Sequence, residues 1–163
     1  REIIGDQSAW HFGRPAAGGR VVHPPAHALI GAVVGHDDVV FHLGDVVFGR
    51  EFDQAIRGLP GDKFMLRGNH DRSGALTFLQ QLGMKIVGKS KQFKRVLFTH
   101  RPAHHGNPFF DDTSWDINIH GHVHDNRPFL YTYGNRQYVN VSVEAINYTP
   151  VRLGDIMRSV ETL

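Results

Sequence analysis

Apolar residues along this chain follow two rhythms. Short, largely apolar runs at 39–43, 63–66, 95–99 and 115–119 read as buried strands, with Glu2-Ile3-Ile4 as a shorter one. Between the early runs the spacing turns helical. His23-Pro24-Pro25 opens a helix whose face carries Ala26, Leu29, Ile30 and Val33, and Gly35 ends it. Phe52, Ala55, Ile56 and Leu59 predict a second helix, stopped by Pro60-Gly61. Ser73 is placed to cap a third that runs to Leu82 and closes at Gly83. Further on, the runs 129–133 and 137–143 flank Gly134-Asn135, a two-residue hairpin signal. Leu153, Ile156, Met157 and Val160 make a last amphipathic turn or helix. Strands alternating with helices, then a β-rich half, predict a layered α/β domain. No repeat, low-complexity tract or linker divides residues 1–163, so one domain is expected.

Composition narrows the chemistry. The formal charge is +2 and the isoelectric point about 9.1, a mild basic balance that tolerates a phosphate-bearing substrate without marking a nucleic-acid-binding protein. There is no cysteine, so neither a disulfide framework nor a thiolate metal site is available. Any metal must be held by His, Asp, Asn or Glu. Twelve histidines form the one anomaly. No apolar run approaches the ~18 residues of a membrane span, and no signal-peptide pattern is visible, which fits a cytoplasmic protein. The chain opens on Arg1 rather than Met, so the first strand is expected to lack a few residues.

The strand ends carry the chemistry. Four apolar runs finish in ligand-type side chains: Leu43-Gly44-Asp45, Leu66-Arg67-Gly68-Asn69-His70-Asp71, Phe98-Thr99-His100 and Ile119-His120-Gly121-His122-Val123-His124. Open α/β sheets place ligands beyond the carboxyl ends of their strands, so these segments should converge on one rim. A carboxylate, an amide oxygen and several imidazoles suit borderline divalent transition metals rather than calcium. A carboxylate flanked by histidines can also hold two ions about 3.5–4 Å apart. Each segment alone also reads as ordinary turn or surface chemistry. Together they make coincidence improbable.

In that order and spacing the motifs resemble those of the calcineurin-like metallophosphoesterases. The segments Val139-Asn140-Val141-Ser142 and Asn147-Tyr148-Thr149-Pro150-Val151 look like the tail of the small bacterial and phage-type members. The resemblance implies an αββα sandwich of two mixed β-sheets flanked by helices, hydrolysing a phosphodiester or phosphomonoester. It further implies two divalent transition-metal ions, with manganese favoured over zinc, iron or nickel, and a bridging hydroxide as nucleophile. Asp45 would bridge the ions; Asn69, His100 and His122 would ligate one, His124 and His11 the other. His70 would be the general acid, oriented by Asp71, and Arg67 and Arg101 could clamp a phosphate oxygen. The substrate could be a small molecule, a nucleotide or a nucleic acid, and a dimer is compatible.

The first motif departs from the pattern. His11-Phe12-Gly13 fits its second half, but Ala9 stands where the family has Asp. Either Asp6 keeps the ligand role across a longer loop, or one ion has lost a carboxylate. The Phe-Gly register favours the loss, and apolar Ile3-Ile4 before Asp6 favours the substitute. A degenerate member acting as a binding module is the alternative function. Histidines 23, 27, 36, 104 and 105 are read as surface or substrate-rim residues, and Trp115 as core packing.

Overall fold

The computed structural model describes residues 2–5, 33–46, 58–104 and 114–162. Two five-stranded mixed sheets lie face to face. In the first, β1 (Glu2–Gly5), β2 (Val39–His42), β3 (Asp62–Met65) and β4 (Lys85–Ile86) run parallel, and β10 (Val151–Arg152) pairs antiparallel on β1. In the second, β6 (Val96–Thr99), β7 (Ile117–His120) and β9 (Arg136–Asn140) run parallel. Their antiparallel edges are β5 (Ser90–Phe93) and β8 (Leu130–Tyr133).

Side-chain alternation decides which residues meet between the sheets. Ile4, Leu43, Leu66, Val96, Phe98, Ile119 and Val139 form one buried cluster, and Phe41 stacks on Phe98 with ring centroids 5.9 Å apart. Helix α2 (Leu153–Glu161) adds Ile156 and Val160 to it. The neighbours Ile3 and Leu97 point the other way, into outer clusters. Helix α1 (Ser73–Gln81) covers the outer face of the first sheet, its Leu79 packing with Met65, Leu82 and Met84. On the outer face of the second sheet, among the described residues, Trp115 and Ala103 pack on Tyr138 and Leu97. Trp115 is core, as expected. No described helix is long and apolar enough to cross a membrane.

The strand runs and the Gly134-Asn135 hairpin occur where the pattern placed them. The expected helices over 26–33 and 52–59 lie, but for Val33 and Leu59, outside the described residues. Ser73 is not the cap. Arg72 occupies that position, in extended conformation and without a side-chain cap bond, and Ser73 is the first helical residue. Strand β5 went unseen because all four of its residues are exposed, leaving no apolar rhythm to read.

His42 ends β2 buried, at 4% exposure, with its Nδ1 unpartnered among the described residues. Burial pushes its imidazole down to about 4. The unfolded chain therefore binds the proton more readily than the folded one, and stability falls as the pH drops from about 6.5 toward 4. The slope is at most about 1.4 kcal/mol per pH unit for this group. Replacing it with His42→Leu should flatten that part of a denaturation-midpoint profile measured between pH 7 and 4.5. An unchanged profile would place the acid sensitivity elsewhere.

Candidate metal centre

The parallel strands deliver their last residues to one rim. Beyond β2, Gly44 turns the chain at φ 102° and Asp45 sits at φ 51°, a left-handed conformation that few side chains adopt. Beyond β3, Gly68 lies against it: a Cβ there would stand 2.1 Å from Asp45 Oδ1. A Cβ on Gly44 would likewise stand 2.7 Å from the Gly68 backbone. The two loops interlock only because both positions are glycine.

Asp71 ties the loops together from below. It is 1% exposed. Its carboxylate accepts the backbone N–H of Asp45 at 2.8 Å, Val46 at 3.1 Å and Gly68 at 2.7 Å. These oxygens serve the main chain, so Asp71 positions the two loops. His70 itself is exposed, and its backbone N–H donates to Asp45 Oδ1 at 2.8 Å.

Above this scaffold, ligand atoms converge. Asp45, His100 and His122 bring one ligand atom each within 4.8 Å of one another. His100 Nδ1 lies 2.7 Å from the Leu43 carbonyl, which can only accept, so Nδ1 carries a proton. Nε2 is thereby turned to Asp45 Oδ2 at 3.1 Å and Asn69 Oδ1 at 2.9 Å. An imidazole braced by a backbone carbonyl, its other nitrogen facing two oxygens, is the arrangement of a metal-ligating histidine. Burial raises the Asp45 carboxyl, but the His100 ring beside it and the hydrogen bond from the His70 main chain outweigh that and hold the pKa below its ordinary value. Burial, then the neighbouring His100, pushes His122 down to about 4, leaving it neutral and able to ligate. His122 adopts φ 69° to reach the group.

His124 lies outside that cluster, opening a 3-10 turn over His124–Asn126. Its Nδ1 donates to Glu144 Oε1 at 2.8 Å, which leaves Nε2 as the atom able to accept. Asn140 Nδ2 holds the His124 carbonyl at 2.7 Å. The third histidine of this motif, His120, is structural: Nδ1 donates to the Gly121 carbonyl at 2.9 Å, and Tyr131 O–H pairs with Nε2 at 2.8 Å. Burial lowers it to about 4, so it remains a neutral acceptor.

A cleft of about 720 Å³ opens beside the cluster, lined by Asn69, His100 and His122 together with Arg67, Arg101 and Lys89. Arg67 Nε donates to the Asp71 carbonyl at 3.2 Å, and Arg101 Nε reaches Asn69 Oδ1 at 3.4 Å. Of the remaining expected residues, Asp6, Ala9 and His11 lie outside those described. Glu144 and Lys89 were missed. Glu144 follows the apolar run through Val143, the same carboxylate-after-a-strand pattern as Asp45, and was legible in principle. Lys89 carried no signal.

The fold has counterparts among known proteins. A crystal structure of a protein of unknown function from Aquifex aeolicus matches with a TM-score of 0.71 at 21% identity, over 96% of this chain and 97% of that one. A structurally characterised archaeal phosphodiesterase matches with a TM-score of 0.52 at 15% identity, over 85% and 81%. An uncharacterized protein of Methanocaldococcus jannaschii is 32% identical over 141 residues, 79% of this chain and 69% of the other. The chain belongs to that protein's family, and its fold is that of the calcineurin-like metallophosphoesterases. No family model matches the sequence.

For this metallophosphoesterase-fold protein, the Glu144 pairing gives a measurable expectation. Partners one step behind a metal are worth roughly 10–100-fold in affinity. Glu144→Ala should weaken one class of Mn²⁺ site by that factor in titration calorimetry, and Glu144→Gln should weaken it less. Unaltered binding in both variants would make the pair merely structural.

Proposed function

We propose that this protein hydrolyses a phosphoester with divalent transition-metal ions held at the ends of β2, β3, β6 and β7. The observation that carries the reading is the convergence of Asp45 Oδ2, Asn69 Oδ1 and His100 Nε2, acceptor atoms that a cation would satisfy together. The fold shared with an archaeal phosphodiesterase supports the same class of reaction. Residues 1–163 are read as a single domain of this kind.

Asp45 would bridge a pair of ions, with Asn69, His100 and His122 on one. His124 would serve the other, with His11 and either Asp6 or no carboxylate completing it. Manganese suits this donor set, as do zinc, iron or nickel. When bound, such ions polarise phosphoryl oxygens and supply an activated water near neutral pH. The side chains do the rest. Asp71 fixes the Asp45 loop against the Gly68 loop, which sets where the ligands point. Arg67 and Arg101 face the cleft and can each donate to a phosphate oxygen. His70, exposed on the Asn69 loop, can hand a proton to the departing oxygen as the P–O bond breaks, a contribution typically worth about 10²–10⁴-fold.

Protein reconstituted with Mn²⁺ should release nitrophenol from bis(p-nitrophenyl) phosphate or p-nitrophenyl phosphate, and chelation should abolish the release. Calorimetry should find two classes of site, the weaker reflecting the first-motif departure at Ala9. No turnover, together with a single metal site, would favour the binding-module reading instead.

A further inference from the structure

The cleft beside the candidate metal ligands has a basic lining among the described residues. Among the described residues that line it none is acidic, while Arg67, Lys89 and Arg101 are all present. Three cations elsewhere on the surface meet carboxylates: Lys85 pairs with Asp62, Arg95 with Asp116 and Arg158 with Asp155. Among the described residues, those of the cleft do not. Arg67 and Arg101 direct their Nε atoms to uncharged oxygens, and Lys89 has no partner among the described residues. Gathering like charges without counter-charges is unfavourable unless a ligand supplies them. The protein as a whole is only mildly basic at +2, so this concentration is local. A volume near 720 Å³ is also that of a site for a molecule of nucleotide size rather than for one phosphoryl group.

We infer that the substrate carries a second phosphate beside the scissile one, and that Lys89, with Arg101, forms its subsite. The inference rests on the phosphoesterase reading above and adds the substrate class to it. Two kinds of molecule present this chemistry: a nucleotide chain, with the second phosphate across a sugar, and a nucleoside polyphosphate, with it across an anhydride.

The test compares nitrophenol release by the Mn²⁺-loaded protein from three probes. These are thymidine 5′-p-nitrophenyl phosphate, the same compound bearing a 3′-phosphate, and the p-nitrophenyl ester of thymidine 5′-diphosphate. At least one two-phosphate probe should exceed the one-phosphate probe in kcat/KM by about tenfold, the weight of one charge-assisted hydrogen bond. Which probe wins identifies the source of the second phosphate. Lys89→Ala should bring the ratio close to one, while Lys91→Ala, on the exposed edge strand β5, should leave it unchanged. A ratio near one in the unaltered protein, or one that survives Lys89→Ala, overturns the inference and leaves the phosphoesterase reading standing. Release from none of the probes, nor from the simple nitrophenyl esters, overturns that reading instead.

Discussion

Asp45→Asn should yield a folded protein whose Mn²⁺-supported turnover falls by more than about 100-fold. A partner one step behind a metal is worth roughly 10–100-fold, so a ligand should be worth more. The fold should survive for two local reasons. Asparagine tolerates the left-handed conformation that Asp45 adopts at φ 51°, and its amide oxygen can still accept the His70 N–H. Its new Nδ2–H₂ would also face His100 Nε2, which Asp45 Oδ2 approaches at 3.1 Å, so a donor meets an acceptor where a cation would otherwise sit. A melting temperature close to that of the unaltered protein, with metal binding lost in calorimetry, is the expected pair of results. Turnover that persists unchanged would remove Asp45 from the centre and with it the proposed mechanism.

Gly68→Ala should be severe for a different reason. The added Cβ would stand 2.1 Å from Asp45 Oδ1 and 2.4 Å from its backbone nitrogen. Neither atom can retreat, since that nitrogen is anchored on buried Asp71 and that oxygen on the His70 N–H. The loops must part, at a cost of about 3 kcal/mol, the upper end for overpacking, and the converging ligands are lost with them. Gly74→Ala is the control. It lies in α1, where a new Cβ would meet nothing within 4 Å, and the substitution should stabilise the helix by about 0.5–1 kcal/mol. Urea denaturation of both variants checks the contrast. Equal stabilities would mean that the interlock of the two loops is loose.

The strands were legible because burial on both faces leaves largely apolar runs, interrupted in β7 by Asn118 and His120: Val96 to Thr99 and Ile117 to His120 are buried along their whole length. Parallel neighbours must end on the same rim, which made Asp45 and Asn69 readable as one pair and His100 and His122 as another. That the two pairs meet follows from how the two sheets face each other. Partnership was not legible. Asp71 stands next to His70 in sequence, yet its carboxylate turns to amides 25 and 26 residues away. Glu144 meets His124 across 20 residues, and Lys89 joins the cleft from a segment without an apolar signal. Residue types and their periodicity, local properties of the chain, therefore determined the layers and the kind of donor at each strand end. Which donor faces a cation, which braces a loop and which awaits an anion was decided by tertiary structure, because a side chain's partner depends on how separate loops pack, and spacing along one chain does not encode that.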